Sequence, residues 1–153
     1  MKFAFDMRPS DSPFVESVWR TQTTGGGSFI STAASLWEMV IAKQMGKSIL
    51  SIRGPETKAS PALVPDGEAE YVGIVFKRGA FMPHLPKQHL VNEAVHLPES
   101  SKNSFWLQSR TWQFPDFENA DTFVDRLVHD EMLAQDQVVD DVLLRHLTFL
   151  WKI

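Results

Sequence analysis

The chain contains no cysteine, which excludes disulfides, thiolate metal ligands and cysteine nucleophiles together and fits a reducing cytosol. It also lacks a basic excess: 15 Lys and Arg stand against 19 Asp and Glu, a formal charge of −4. A phosphate backbone would find few counter-charges, so nucleic-acid binding by this chain itself is not expected. No apolar run approaches a membrane span, and the opening Met1-Lys2-Phe3-Ala4-Phe5-Asp6 meets charge too early for a signal peptide. Proline and glycine are missing beyond Pro115. The 153 residues suit one globular domain of ordinary composition, expected in the cytoplasm.

The loss of helix breakers coincides with a change of charge. Residues 1–115 carry 12 basic and 10 acidic side chains, whereas residues 116–153 carry 3 basic and 9 acidic. A turn-rich unit over 1–115 and an acidic helical segment over 116–153 are therefore expected within one domain. In the first unit, Phe14 to Thr21 reads as a strand opening after Pro13. Gly25-Gly26-Gly27 reads as a flexible hairpin turn before a short strand at Ser28 to Thr32. Leu36 to Lys43 places Trp37, Met39 and Ile41 on one face and Leu36, Glu38 and Val40 on the other. Gly46-Lys47 turns the chain into Ser48 to Arg53, Gly54-Pro55 stops it, and a Pro-rich loop runs through Pro61 and Pro65 to Asp66-Gly67. Tyr71 to Lys77 alternates most clearly, with Val72, Ile74 and Phe76 against Tyr71, Gly73 and Val75. Shorter strands are expected at Val95 to Leu97 and Phe105 to Leu107. Many short strands predict a β-sandwich or barrel.

The second segment predicts two helices. Asn119 is a candidate cap for one carrying Ala120, Phe123, Val124, Leu127 and Val128 at helical spacing, with Asp121 in its first turn. Asp136 is a candidate cap for another, carrying Val139, Val142, Leu143, Leu147 and Leu150. Together they predict an α+β, mainly β architecture ending in a helical hairpin.

Chemistry is sparse. The histidines at 84, 89, 96, 129 and 146 form no H-x-H pair, and Pro86 separates the first two, so no metal site and no cofactor are expected. Gly25-Gly26-Gly27 lacks the G-K-[ST] ending of a phosphate loop, and no G-x-S-x-G elbow is present. No catalytic residue is assigned, and the C-terminal carboxylates read as a solvated helix face. Glu38 is different: it lies inside a strand beside Trp37, and the Gly46-Lys47 turn brings it near Arg53. That pair is open to two readings, a structural ion pair or a ligand contact. Trp19, Trp37, Trp106 and Trp112 all fall in the β-rich unit, where aromatics serve either as core or as pocket walls.

An ordered series of segments carries a resemblance. Ser12-Pro13-Phe14-Val15-Glu16-Ser17-Val18-Trp19, Gly27-Ser28-Phe29-Ile30-Ser31, Trp37-Glu38 and Arg53-Gly54-Pro55-Glu56-Thr57-Lys58 form its first half. Gly73-Ile74-Val75-Phe76-Lys77, Phe81-Met82-Pro83-His84-Leu85-Pro86, Ser104-Phe105-Trp106-Leu107, Trp112-Gln113-Phe114-Pro115-Asp116 and Glu118-Asn119-Ala120-Asp121 complete it. The series spans residues 12 to about 142 and resembles the N-terminal domain of AraC/XylS-type transcriptional regulators. The resemblance implies a cupin-like β-barrel that binds a small effector, followed by helices that form a homodimer. It also implies a C-terminal DNA-binding domain, which this sequence, ending at Leu150-Trp151-Lys152-Ile153, does not include. The matching positions that imply a ligand pocket are Trp19, Trp37, Glu38, Arg53, Glu56, Phe76 and His84. Trp and Phe would form walls, while Arg53 with Glu38 or Glu56 would orient polar groups. Gly54-Pro55, Gly73, Gly79 and Pro83 match as turn-shaping positions.

The expected function is thus a ligand-sensing and dimerisation domain, not an enzyme, reaching DNA only through a further domain and touching no membrane. Two alternatives remain: a small cupin-type metal-dependent enzyme, and a purely structural dimerisation module.

Overall fold

Alternating residues become strands wherever one face can be buried. The computed structural model describes residues 2–31, 34–64, 66–85 and 89–136. Six strands build the main sheet: β1 (Lys2–Arg8), β2 (Val15–Thr24), β4 (Glu38–Gln44), β5 (Lys47–Arg53), β7 (Ala69–Phe76) and β9 (Ala94–Leu97). Their order is β1-β2-β7-β4-β5-β9, all neighbours antiparallel. The hairpin joining β4 to β5 closes with Gln44 opposite Lys47. Its central residues Met45 (φ 53°) and Gly46 (φ 75°) both lie in the left-handed region, as a type I′ turn requires.

The remaining strands are short. β3 (Gly27–Ser31) pairs with β6 (Ser60–Val64), β8 (Ala80–Phe81) with β13 (Ala134–Gln135), and β10 (Glu99–Ser101), β11 (Ser104–Leu107) and β12 (Arg110–Gln113) form a meander. The architecture is therefore mainly β, made of antiparallel sheets. Among the described residues the main sheet is open, with β1 and β9 at its edges, instead of closed into a barrel.

Three expectations are corrected. Gly25-Gly26-Gly27 is not a hairpin turn, because β2 and β3 do not pair; Gly25 (φ 73°) instead lets the chain leave the main sheet for another. The Pro-rich stretch is not all loop: Ser60–Val64 is a strand, with Pro61 opposite Ile30 in a two-stranded ribbon where a missing N–H is tolerated. The acidic segment is not purely helical, since Ala134 and Gln135 pair with Phe81 and Ala80. The second predicted helix, with Val139, Val142, Leu143, Leu147 and Leu150, lies outside the described residues.

The first predicted helix is present as α1 (Ala120–His129). Its apolar stripe buries Ala120, Phe123, Val124 and Leu127, each large side chain contributing roughly 1.5–3 kcal/mol by leaving water. Asn119 occupies the cap position, but its side chain turns outward: Oδ1 accepts from the Asp116 N–H at 2.7 Å, and Asp116 Oδ1 accepts from the Asn119 N–H at 2.8 Å. The helix ends as Glu131 (φ 62°) enters the left-handed region and Met132 N–H reaches back to Leu127 O.

The two faces of the main sheet differ. Val18, Met39, Ile41, Leu50, Ile52 and Ile74 share one face by register and belong to a single buried cluster with Phe105, Leu107, Trp112, Phe123, Val124 and Leu127. Phe123 packs edge-on against both Phe105 and Trp112, at 6.2 Å between centroids in each case. The meander and α1 thus seal this face. Arg8 reinforces the closure: Nε and Nη2 donate to Phe117 O, and Nη1 lies 2.8 Å from Asp121 Oδ2. Among the described residues no helix is long and apolar enough to cross a membrane.

Candidate functional site

Side chains alternate across a strand, so the opposite face of the same sheet collects the other half of each pattern. The register puts Trp19, Gly73, Val40 and Ser51 in one row, and Ser17, Val75, Glu38 and Arg53 in the next. This face is only partly covered. Trp19, Tyr71, Glu38 and Arg53 are half-buried, while Phe5 is 53% and Ile49 50% exposed.

Trp19 organises the centre of this face. Its indole lies flat across Gly73, where an added Cβ would stand 2.0 Å from Cε2. The glycine serves close approach in mid-strand, not the turn implied by its matching position. Phe5 stacks on the indole at 6.2 Å and 22°. The indole Nε1 donates to Glu38 Oε2 at 3.2 Å. Burial raises the Glu38 carboxyl above its usual range; the Trp19 hydrogen bond and the Arg53 charge oppose this, and the Glu56 charge adds to it.

Arg53 stands directly across from Glu38 in the β4–β5 pair, but its ion pair is with Glu56: Nη2 lies 3.4 Å from Oε1. The other Glu56 oxygen, Oε2, is buried and accepts no hydrogen bond among the described residues. Arg53 and Glu56 line an open cleft of about 480 Å³ with Lys58, Asn92, Glu93 and Ala94. The walls are tied together by backbone bonds, Gly54 N–H to Glu93 O at 3.1 Å and Asn92 N–H to Pro55 O at 2.9 Å. Asn92 (φ 59°) also accepts the Thr57 N–H at 2.9 Å on its side chain. Gly54 is needed here too, since a Cβ would fall 1.9 Å from Leu90 O.

The seven predicted site residues therefore separate. Trp19, Glu38 and Arg53 share the half-open face, and Glu56 joins them through Arg53. Trp37 and Phe76 belong to the core: they are 3% and 0% exposed, and their rings stack at 4.0 Å and 9°. Trp37 Nε1 donates to Ala80 O at 2.7 Å, which satisfies its one polar atom inside the core. His84 sits in the Met82–Leu85 turn, half-buried, with burial lowering its pKa.

Sequence reasoning missed three contributors. Phe5 lies on a strand that had not been assigned, although Phe3, Phe5 and Met7 alternate with Lys2, Ala4 and Asp6. Asn92 carried no local signal. Ser51 Oγ and His96 Nδ1 are 2.6 Å apart across β5 and β9, a pairing that only the register makes visible. Among the described residues no three His, Asp or Glu side chains gather in a group able to hold a metal ion.

The arrangement offers an aromatic surface beside both signs of charge, with one carboxylate oxygen unpaired; it can orient a small polar molecule. Compared with known proteins, the chain matches no family model, no curated protein and no solved structure.

Proposed function

We propose that this chain is the effector-binding domain of an AraC/XylS-type transcriptional regulator, with a cupin-like β fold. The observation that carries the reading is the gathering of Trp19, Glu38 and Arg53 on the half-open sheet face, away from the face sealed by α1. The ordered series of segments from Ser12 to Asp121 supports the family, and the mainly β architecture suits it. In this reading Arg53 and Glu56 orient the polar groups of an effector, Trp19 supplies an apolar wall, and Glu38 positions Trp19. The domain binds and does no chemistry. Effector binding favours one arrangement of a linked DNA-binding domain over another, to the extent that affinity differs between the two. Homodimerisation through residues 136–153 belongs to the same proposal, although most of that segment lies outside the described residues.

Thermal-shift screening against a metabolite library tests the reading, with tryptophan emission as a second probe. A ligand at one hundred times its Kd raises stability by about 2.7 kcal/mol. The reading expects such a shift to shrink in Arg53→Met and the emission to change through Trp19. A library that yields no ligand, or one whose binding ignores Trp19, Arg53 and Glu56 alike, overturns it.

A further inference from the structure

Building on the effector-binding reading, we infer that the cleft at the end of β5 takes a zwitterionic α-amino acid, with its carboxylate on Arg53 and its ammonium on Glu56. Three observations converge. First, the lining carries both signs in equal number, Arg53 and Lys58 against Glu56 and Glu93. A ligand of one sign would leave half of these charges opposed, whereas a zwitterion satisfies both.

Second, the Arg53–Glu56 pair is underused. A single contact of 3.4 Å is well outside the 2.7–2.9 Å of a strong charge-assisted bond and leaves the guanidinium fork free for a carboxylate. With the Arg53 side chain 41% exposed, this long contact adds little stability by itself. Third, Glu56 lines the cleft with an undersatisfied carboxylate: Oε1 has one long contact to Arg53, and Oε2 accepts no hydrogen bond among the described residues, whereas such groups in a native fold are normally paired. An ammonium group entering the cleft brings three N–H donors to that carboxylate. The carboxylate and ammonium of an α-amino acid sit on one carbon, close enough to bridge charges 3.4 Å apart.

The frame is prebuilt. Glu56 N–H is held by Ala34 O at 2.7 Å, and the 92–93 turn is bonded to Gly54 and Pro55. Little ordering is left for binding to impose. Glu38 stands across from Arg53 in the register, near enough for their charges to interact.

The test is calorimetric titration of the full chain with each proteinogenic L-amino acid. For any binder, the amine lacking its carboxylate and the acid lacking its amino group follow. The expected result is saturable binding of at least one amino acid, weakened by about tenfold or more in both single-charge analogues. The substitutions Arg53→Met and Glu56→Gln should each cause a comparable loss. The analogues are measured on the unaltered protein, so the outcome does not depend on how well the variants fold. Equal binding of an analogue, or an amino acid whose affinity ignores both substitutions, overturns the inference. If no amino acid binds but another metabolite binds in an Arg53-dependent way, this inference falls and the effector-binding reading stands. If no compound of any class binds, both fall.

Discussion

Replacing Gly73 by Ala tests the centre of the half-open face. The new Cβ would lie 2.0 Å from Trp19 Cε2, 2.2 Å from Nε1 and 2.3 Å from Cζ2. Ordinary carbon contacts are about 3.5–4.0 Å, so the indole must retreat by roughly 1.5 Å. Such overpacking costs about 1–3 kcal/mol. The Trp19–Glu38 bond, at 3.2 Å, has no slack to follow that movement. Its loss leaves a largely buried carboxylate short of a donor, adding about 1–3 kcal/mol. Against this, alanine in mid-strand recovers about 0.5–1 kcal/mol over glycine. The expected net loss is about 3 kcal/mol from the central values, within a range of about 1–5 kcal/mol.

Urea denaturation followed by far-ultraviolet circular dichroism measures it without relying on tryptophan emission. The decisive measurement is the double-mutant cycle with Trp19→Ala. In that background the clash partner is gone, and Gly73→Ala should be neutral or slightly stabilising. A coupling energy of about 2 kcal/mol or more is expected. A coupling below about 0.5 kcal/mol would refute the claim that Gly73 exists to seat the indole.

Other perturbations follow from single atoms. Thr23 is 2% exposed and its hydroxyl has no partner among the described residues, so Thr23→Val should be neutral or raise stability by up to about 1 kcal/mol in chemical denaturation; a loss of that size would reveal a bonded hydroxyl. Met45, 91% exposed, occupies a left-handed position in the β4–β5 turn, and Met45→Asn should raise Tm through a gain of about 0.5–1 kcal/mol; a lowered Tm would contradict the turn assignment. For Glu38 the sign follows from linkage. Its folded-state pKa lies above the ordinary value of 4.5 because burial disfavours the charge, so the native state holds its proton more tightly, and this stabilisation fades as pH rises from about 4.5 through the raised pKa. Glu38→Gln should therefore gain stability relative to the unaltered protein as pH goes from 4 to 8, measured as the difference in urea midpoint; a difference independent of pH would refute the burial of this charge.

Much of the fold was legible because backbone geometry imposes short periods. The two-residue period of β4 and β7 and the helical spacing of Ala120, Phe123, Val124 and Leu127 follow from chain geometry, and each pattern declares two faces. The turn between β4 and β5 was legible through Gly46 but one residue out of place: Gly46-Lys47 was expected, whereas the central residues are Met45 and Gly46 and Lys47 already pairs with Gln44. Pairing is different. Nothing local marks Ser60–Val64 as the partner of Gly27–Ser31, or Ala134–Gln135 as the partner of Phe81 and Ala80, because these contacts join segments far apart in sequence. Proline at 61 and glycines at 25–27 pointed to a loop and a turn until a partner strand and a change of sheet gave them another role.

The candidate site divides in the same way. Residue type alone made Trp19 and Trp37 equivalent, and Glu38, Arg53 and Glu56 a plausible polar set. Alternation showed that Trp37 and Glu38 must face opposite ways. Which face would be sealed was decided by the meander and α1, which bury Trp37 with Phe76 and leave Trp19 with Glu38 on the other side. The strand register then set Arg53 opposite Glu38, while the turn past Gly54-Pro55 carried Glu56 to Arg53 as its ion partner. The sequence by itself determined a mainly β chain of alternating faces with an amphipathic helix, because these are properties of neighbouring residues. Only the tertiary structure decided which face is core and which charges meet, because burial and ion pairing depend on segments that the chain brings together from a distance.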